Sequence, residues 1–142
     1  MATTLRPELK PNNKYWIEKH RYYELKHFCL QYPTWKKKYD YLAHDLGLVS
    51  PSGCIKSELI ADGIIDRTSE KAVELAHIAN KISLLRVVTL KTDRELGSYI
   101  LKGVSRGVSY DALNTEEALP CSKDTYYDLY RKFFWLLDKE RD

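Results

Sequence analysis

From Asp66 to Leu90 the chain runs without a proline or a glycine. Within this stretch Leu75, Ile78, Ile82, Leu85 and Val88 recur three or four residues apart, which is the repeat of one helix face. Ala72, Ala76 and Ala79 lie between them and let a neighbour come close, and Asp66 or Thr68 can cap the start. The segment predicts a helix of about 23 residues ending near Leu90, roughly 35 Å long at 1.5 Å per residue. That is long for a chain of 142 residues. Such a helix is either the central post of a bundle or pairs in part with another chain.

The flanking sequence is also helical in pattern. Residues 1–12 are polar, carry Pro7 and Pro11, and read as an arm. Asn12 or Asn13 can cap a helix running to about Gln31, with Tyr15, Tyr22, Leu25 and Cys29 on its inner face. Pro33 breaks it and introduces a second helix, Thr34 to Leu46, with Trp35, Tyr39 and Leu42 inward and Gly47 as terminator. Residues 48–66 hold the turn chemistry of Ser50-Pro51-Ser52-Gly53 and a second breaker at Gly63, and read as a linker. Beyond the long helix, Thr92-Asp93-Arg94-Glu95 has the form of a capping box. The helix it predicts carries Leu96, Tyr99, Ile100 and Val104 and closes at Gly103 and Gly107. Ser109 caps a short helix to Glu117. Leu119-Pro120-Cys121-Ser122 is a tight connection, and a last helix runs from Lys123 to about Lys139. The expected fold is an all-α helical bundle. Its expected organisation is N-terminal basic and aromatic helices over 1–47, a linker over 48–66, and a long helix plus a helix-turn-helix unit over 67–142.

Composition excludes several classes of function. No apolar run approaches the roughly 20 residues of a membrane span, and no leader pattern opens the chain, which points to a cytoplasmic protein without a membrane partner. The three cysteines, Cys29, Cys54 and Cys121, are odd in number and far apart, and read as buried or half-buried thiols rather than a disulfide framework. The four histidines form no zinc motif. Scattered carboxylates make no recognisable acid–base pair, and there is no glycine-rich phosphate loop, so neither an enzyme nor a cofactor or metal is expected.

Charge is distributed unevenly. Residues 10–38 hold eight Lys or Arg against Glu18 and Glu24, a balance of +6, whereas residues 116–142 hold five basic and seven acidic groups, a balance of −2. Trp35-Lys36-Lys37-Lys38, beside Tyr32 and Tyr39, interleaves cations with stacking surfaces, which suits a nucleic-acid backbone. The same lysines also read as an ordinary solvated helix face.

The C-terminal layout of short helix, turn and final helix is that of a helix-turn-helix. The final helix offers Ser122, Lys123 and Thr125 in its first turn, an inner stripe of Tyr126, Tyr130, Phe133 and Leu137, and Lys123, Tyr127 and Arg131 on the opposite face. Ser122-Lys123-Asp124-Thr125-Tyr126-Tyr127, with Arg131 and Lys132 following, resembles the recognition helix of phage regulators of the RinA/ArpU type. The resemblance extends over roughly residues 60–139, upstream through the Asp66–Leu85 segment. It implies a sigma-factor region-four-like helix-turn-helix and a phage or prophage regulator of late genes at promoter DNA. Asp124, Asp128 and Leu129 depart from it, standing where that family tends to be polar or basic.

The reading that emerges is a protein binding double-stranded DNA through Ser122, Lys123, Thr125, Tyr127, Arg131 and Lys132, with Lys36, Lys37 and Lys38 adding affinity. A homo-oligomer is expected, with host RNA polymerase as a second partner. Two alternatives are a small terminase subunit and a helical interaction factor of the host-takeover or inhibitor kind. The breadth of the last helix's aromatic surface, Tyr126 through Leu136, favours packing or dimerisation as its first duty.

Overall fold

A computed structural model describes residues 13–47 and 66–141. The arm at 1–12, the linker over 48–65 with Cys54, and the capping side chains of Asp66 and Thr68 lie outside the described residues. The fold is all-α, with helices α1 (Lys19–Leu30), α2 (Tyr32–Asp45), α3 (Asp66–Thr92), α4 (Gly97–Arg106), α5 (Tyr110–Glu116) and α6 (Lys123–Glu140). Among the described residues no strand occurs, and no helix is long and apolar enough to cross a membrane. The chain divides into two compact units, Met1–Gln31 with Leu84–Asp142, and Tyr32–Ser83.

In the first unit α1 packs on α4 and α6, α4 on α6, and α5 on α6. Tyr22, Leu25, Phe28 and Cys29 form the buried face of α1, as its spacing requires. Its start lies elsewhere than at Asn12 or Asn13. The Asn13 side chain instead accepts from the Tyr15 amide at 2.8 Å and holds a turn, while Glu18 caps α1 by accepting from the amides of His20 and Arg21. Tyr15 therefore precedes the helix and meets Trp135 edge-on at 5.6 Å.

The Thr92–Glu95 capping box does not form. Thr92 is the buried last residue of α3, and its hydroxyl donates to the Val88 carbonyl at 2.8 Å. Asp93 takes the role, accepting from the amides of Glu95 and Leu96 at 2.8 and 2.7 Å, and α4 starts only at Gly97. Gly107 closes α4 in the left-handed conformation, φ 66°, which glycine adopts without a Cβ penalty. Gly103, expected to help close α4, lies inside it. A Cβ there would collide with the hydroxyl of Tyr126, so the missing side chain is what lets α6 seat its tyrosine against α4. Ser109 and Ser122 cap α5 and α6 as expected, accepting from the amides of Ala112 and Thr125.

In the second unit α2 buries Tyr32, Trp35, Leu42 and Ala43, with Tyr39 half-buried. Gly47 ends the segment at φ 67°, its amide donating to His44. From α3 the same unit buries Leu75, Ile78 and Ile82. Lys38 pairs with Glu74, Asp45 with Lys71, and the Lys81 ammonium stands 5.3 Å from the Trp35 ring centre. Ascending α2 meets descending α3, so the two run antiparallel.

Candidate nucleic-acid interface

The connection between α5 and α6 is fixed by its own polar groups. Asn114 accepts from the Leu119 amide at 2.8 Å, and the Tyr110 hydroxyl donates to the Cys121 carbonyl at 2.7 Å. The Tyr127 hydroxyl accepts from the Tyr110 amide at 3.1 Å. These bonds tie the connection and the second turn of α6 to α5.

The inner stripe of α6 is buried as the spacing predicts: Tyr126, Tyr130, Phe133 and Leu137, joined by Phe134. Tyr22 and Tyr130 share a buried hydroxyl–hydroxyl hydrogen bond of 2.8 Å, and Tyr22 meets Phe134 edge-on at 5.1 Å. Burial pushes the Tyr126 and Tyr130 phenols well above their ordinary range, because an ionised ring would lose its water there. Cys29 is buried and its thiol is likewise raised, which leaves it inert, and Cys121 is half-buried.

The residues read as DNA contacts are distributed as follows. Ser122, Lys123 and Thr125 are exposed at the start of α6. Ser122 is occupied as the cap, and its hydroxyl also reaches that of Thr125 at 3.0 Å. Lys123 donates to Asp111 of α5 at 3.1 Å, and this hydrogen bond holds its ammonium above the usual lysine range. Tyr127 differs from its expected outward placement: it is half-buried, bonded to α5, and set edge-on to Tyr126 at 5.1 Å. The physical reason is that its hydroxyl satisfies the Tyr110 amide in the first turn of α5, where no intrahelical acceptor exists. Arg131 and Lys132 are half-buried, and the Arg131 Nε is buried without a hydrogen-bond partner among the described residues. In the other unit Lys36 and Lys37 are exposed, with the Lys36 ammonium 5.6 Å from the Tyr32 ring centre, while Lys38 is engaged by Glu74. Lys36 and Lys37 have no ion-pair partner among the described residues.

Sequence reasoning missed the acids that answer these cations. Asp111 lies twelve residues from Lys123 and reaches it only because α5 and α6 are folded together. Arg106 makes two bonds to Glu116, at 3.1 and 2.9 Å, and half-buried Lys102 pairs with Glu117, so the cations of α4 are also met by α5 and its end. Asp124 and Asp128 add exposed negative charge to the first half of α6. Among the described residues no cluster of His, Cys, Asp or Glu could hold a metal ion. No family model matches the chain, and neither the curated proteins nor the solved structures contain a detectable relative.

Proposed function

We propose that the protein binds duplex DNA as a regulator of the RinA/ArpU kind, using α5, the Glu117–Ser122 connection and α6 as a helix-turn-helix. One observation carries this reading. α6 is anchored along its length by buried aromatic side chains, yet its first turn leaves Ser122, Lys123 and Thr125 exposed. That is the arrangement a groove-reading helix needs, rigid behind and polar at the leading end. Exposed Lys36 and Lys37 of α2 supply sequence-independent attraction to phosphates. On this reading Lys123 exchanges Asp111 for a phosphate or base edge.

The acids favour a second reading. Asp111 pairs with the lysine of the α6 first turn, and exposed Asp124 and Asp128 add negative charge to the first half of that helix, which suits a basic protein partner better than a polyanion. A shift assay on mixed-sequence duplex across a salt series separates the two. Regulator binding predicts a steep loss of affinity with salt, flattened by roughly one unit for each phosphate contact removed when Lys36 and Lys37 become Ala. Absence of binding at low salt rejects the DNA reading and leaves the interaction factor.

A further inference from the structure

Helix α3 is apolar on two opposite sides. Leu75, Ile78, Ile82, Leu85 and Val88 are buried within the chain. On the far side Val73, Val87 and Leu90 are 56%, 43% and 63% exposed, and Ala76, Asn80 and Ser83 are exposed between them. In order, Val73, Ala76, Asn80, Ser83, Val87 and Leu90 alternate steps of three and four residues, which is the 3.5-residue repeat of a coiled-coil seam. Trp16 and Tyr41, the other large apolar side chains exposed among the described residues, share no such face. Because α3 is one uninterrupted helix, the seam is a property of that helix alone.

We propose that this seam pairs antiparallel with the same seam of a second copy of the chain. The register follows from the residues. Centring the pair between Lys81 and Ile82 sets Val73 against Leu90, Ala76 against Val87, and Asn80 against Ser83. The small side chain then faces a larger one, and the two polar side chains face each other, which is how a single buried polar position fixes coiled-coil register. Charge selects the direction. On one flank of the seam lie Glu70, His77, Leu84 and Lys91, and on the other Ala72, Ala79 and Arg86. Antiparallel pairing places each Glu70 beside the second copy's Lys91 and each His77 beside its Leu84. Parallel pairing would set Arg86 beside the second copy's Lys91, two cations, on both flanks of the pair's C-terminal end. Glu74 and Lys81 lie farther round the helix and are engaged by Lys38 and Trp35. The occupant is therefore another α3, and the proposal stands whether or not the protein binds DNA.

Sedimentation of the full chain over a concentration series tests it. The unaltered protein is expected to associate to a dimer, and Val87→Glu and Leu90→Glu to give folded helical monomers, since both side chains are exposed in the single chain, with a melting midpoint that no longer rises with protein concentration. Glu70→Lys or Lys91→Glu alone is expected to weaken association about tenfold, replacing weak attraction with weak repulsion at two symmetric positions. The double swap is expected to restore association, although it loses the exposed Lys91–Glu140 pair within the chain. A parallel pair would instead tighten on Lys91→Glu. That tightening, a monomer at high micromolar concentration, or an intact dimer in the Glu variants of the seam would overturn the proposal.

Discussion

The two units are built to different standards of closure. Every large side chain that is essentially sealed from water among the described residues, Tyr22, Tyr126, Phe133, Phe134 and their aliphatic neighbours, belongs to the unit made of Met1–Gln31 and Leu84–Asp142. In the Tyr32–Ser83 unit the described large core side chains, Tyr32, Trp35, Leu42, Leu75, Ile78 and Ile82, keep 4–7% exposure, and two ion pairs and one cation–ring contact rim α2 and α3. Aromatic rings account for the difference. A buried ring removes 150–250 Å² of surface and gains a further ~0.5–1.5 kcal/mol from an offset or edge-on neighbour, whereas an exposed ion pair contributes about 0–1 kcal/mol. The most tightly sealed aromatic side chains are concentrated in one unit, and the exposed Lys36 and Lys37 sit in the other.

The largest expected effect lies in the aromatic unit. Phe133→Ala removes a fully buried ring and should cost about 3–5 kcal/mol. Against a typical total of about 5–15 kcal/mol this gives a much lower midpoint in denaturant titration. An unchanged midpoint would break the comparison at its centre. The same cluster sets a pH limit. Tyr126 and Tyr130 have phenols raised by burial, so below the ordinary phenol pKa of about 10 neither state is ionised and stability is unaffected. Above that pH the unfolded chain loses protons that the folded chain retains, and stability falls as pH rises. Denaturant titrations at pH 8 and pH 11 should differ in that direction, and Tyr130→Phe should reduce the difference.

A smaller effect concerns the contact between α4 and α6. Gly103→Ala puts a Cβ into the Tyr126 hydroxyl and should cost about 1–3 kcal/mol, because the ring is buried and cannot swing away. The Tyr126 hydroxyl has no hydrogen-bond partner among the described residues, so Tyr126→Phe should be neutral or stabilising. Combined with Gly103→Ala it should recover most of the loss. Additive behaviour in that double variant would show that the clash lies elsewhere.

These features also mark what could be read from the chain. The buried stripes of α3 and α6 were legible because a 3.6-residue apolar repeat admits few solutions, and Ser109, Ser122, Gly47 and Gly107 were legible because caps obey local rules. Where two local solutions competed, the sequence did not choose. Glu18 rather than Asn13 caps α1, and Thr92 spends its hydroxyl on the Val88 carbonyl. Gly103 looked like a helix end because its cause, Tyr126, is twenty-three residues away and enters only on folding. The candidate site suffered most for the same reason. Tyr127 shares a helix face with Lys123 and Arg131 in sequence, but the free amide of Tyr110 draws it inward, and the neutralising Asp111 is brought to Lys123 by tertiary structure.

The smallest expected effect tests the comparison most finely, by setting one ion pair of each unit against the other. Lys38 and Glu74 are 52% and 43% exposed at their side chains, so both remain largely hydrated. Their double-mutant cycle should give a coupling of only about 0.2–1 kcal/mol, and added salt should erase most of it. Arg21 and Asp138 are 25% and 37% exposed, meet at 2.6 Å, and are reinforced by donation from Arg21 to the Arg141 carbonyl. The hydrogen bond to Asp138 raises the Arg21 guanidinium further above its already high pKa, so its charge persists at any workable pH. Fewer hydrating waters and a fixed planar donor mean that this pair loses less of its attraction to solvent. Its cycle should therefore give the larger coupling and keep more of it in 1 M salt. Equal couplings with equal salt sensitivity would mean that the two units differ in their rings alone, and that the polar contacts between α2 and α3 are no weaker than those that brace α1 on α6.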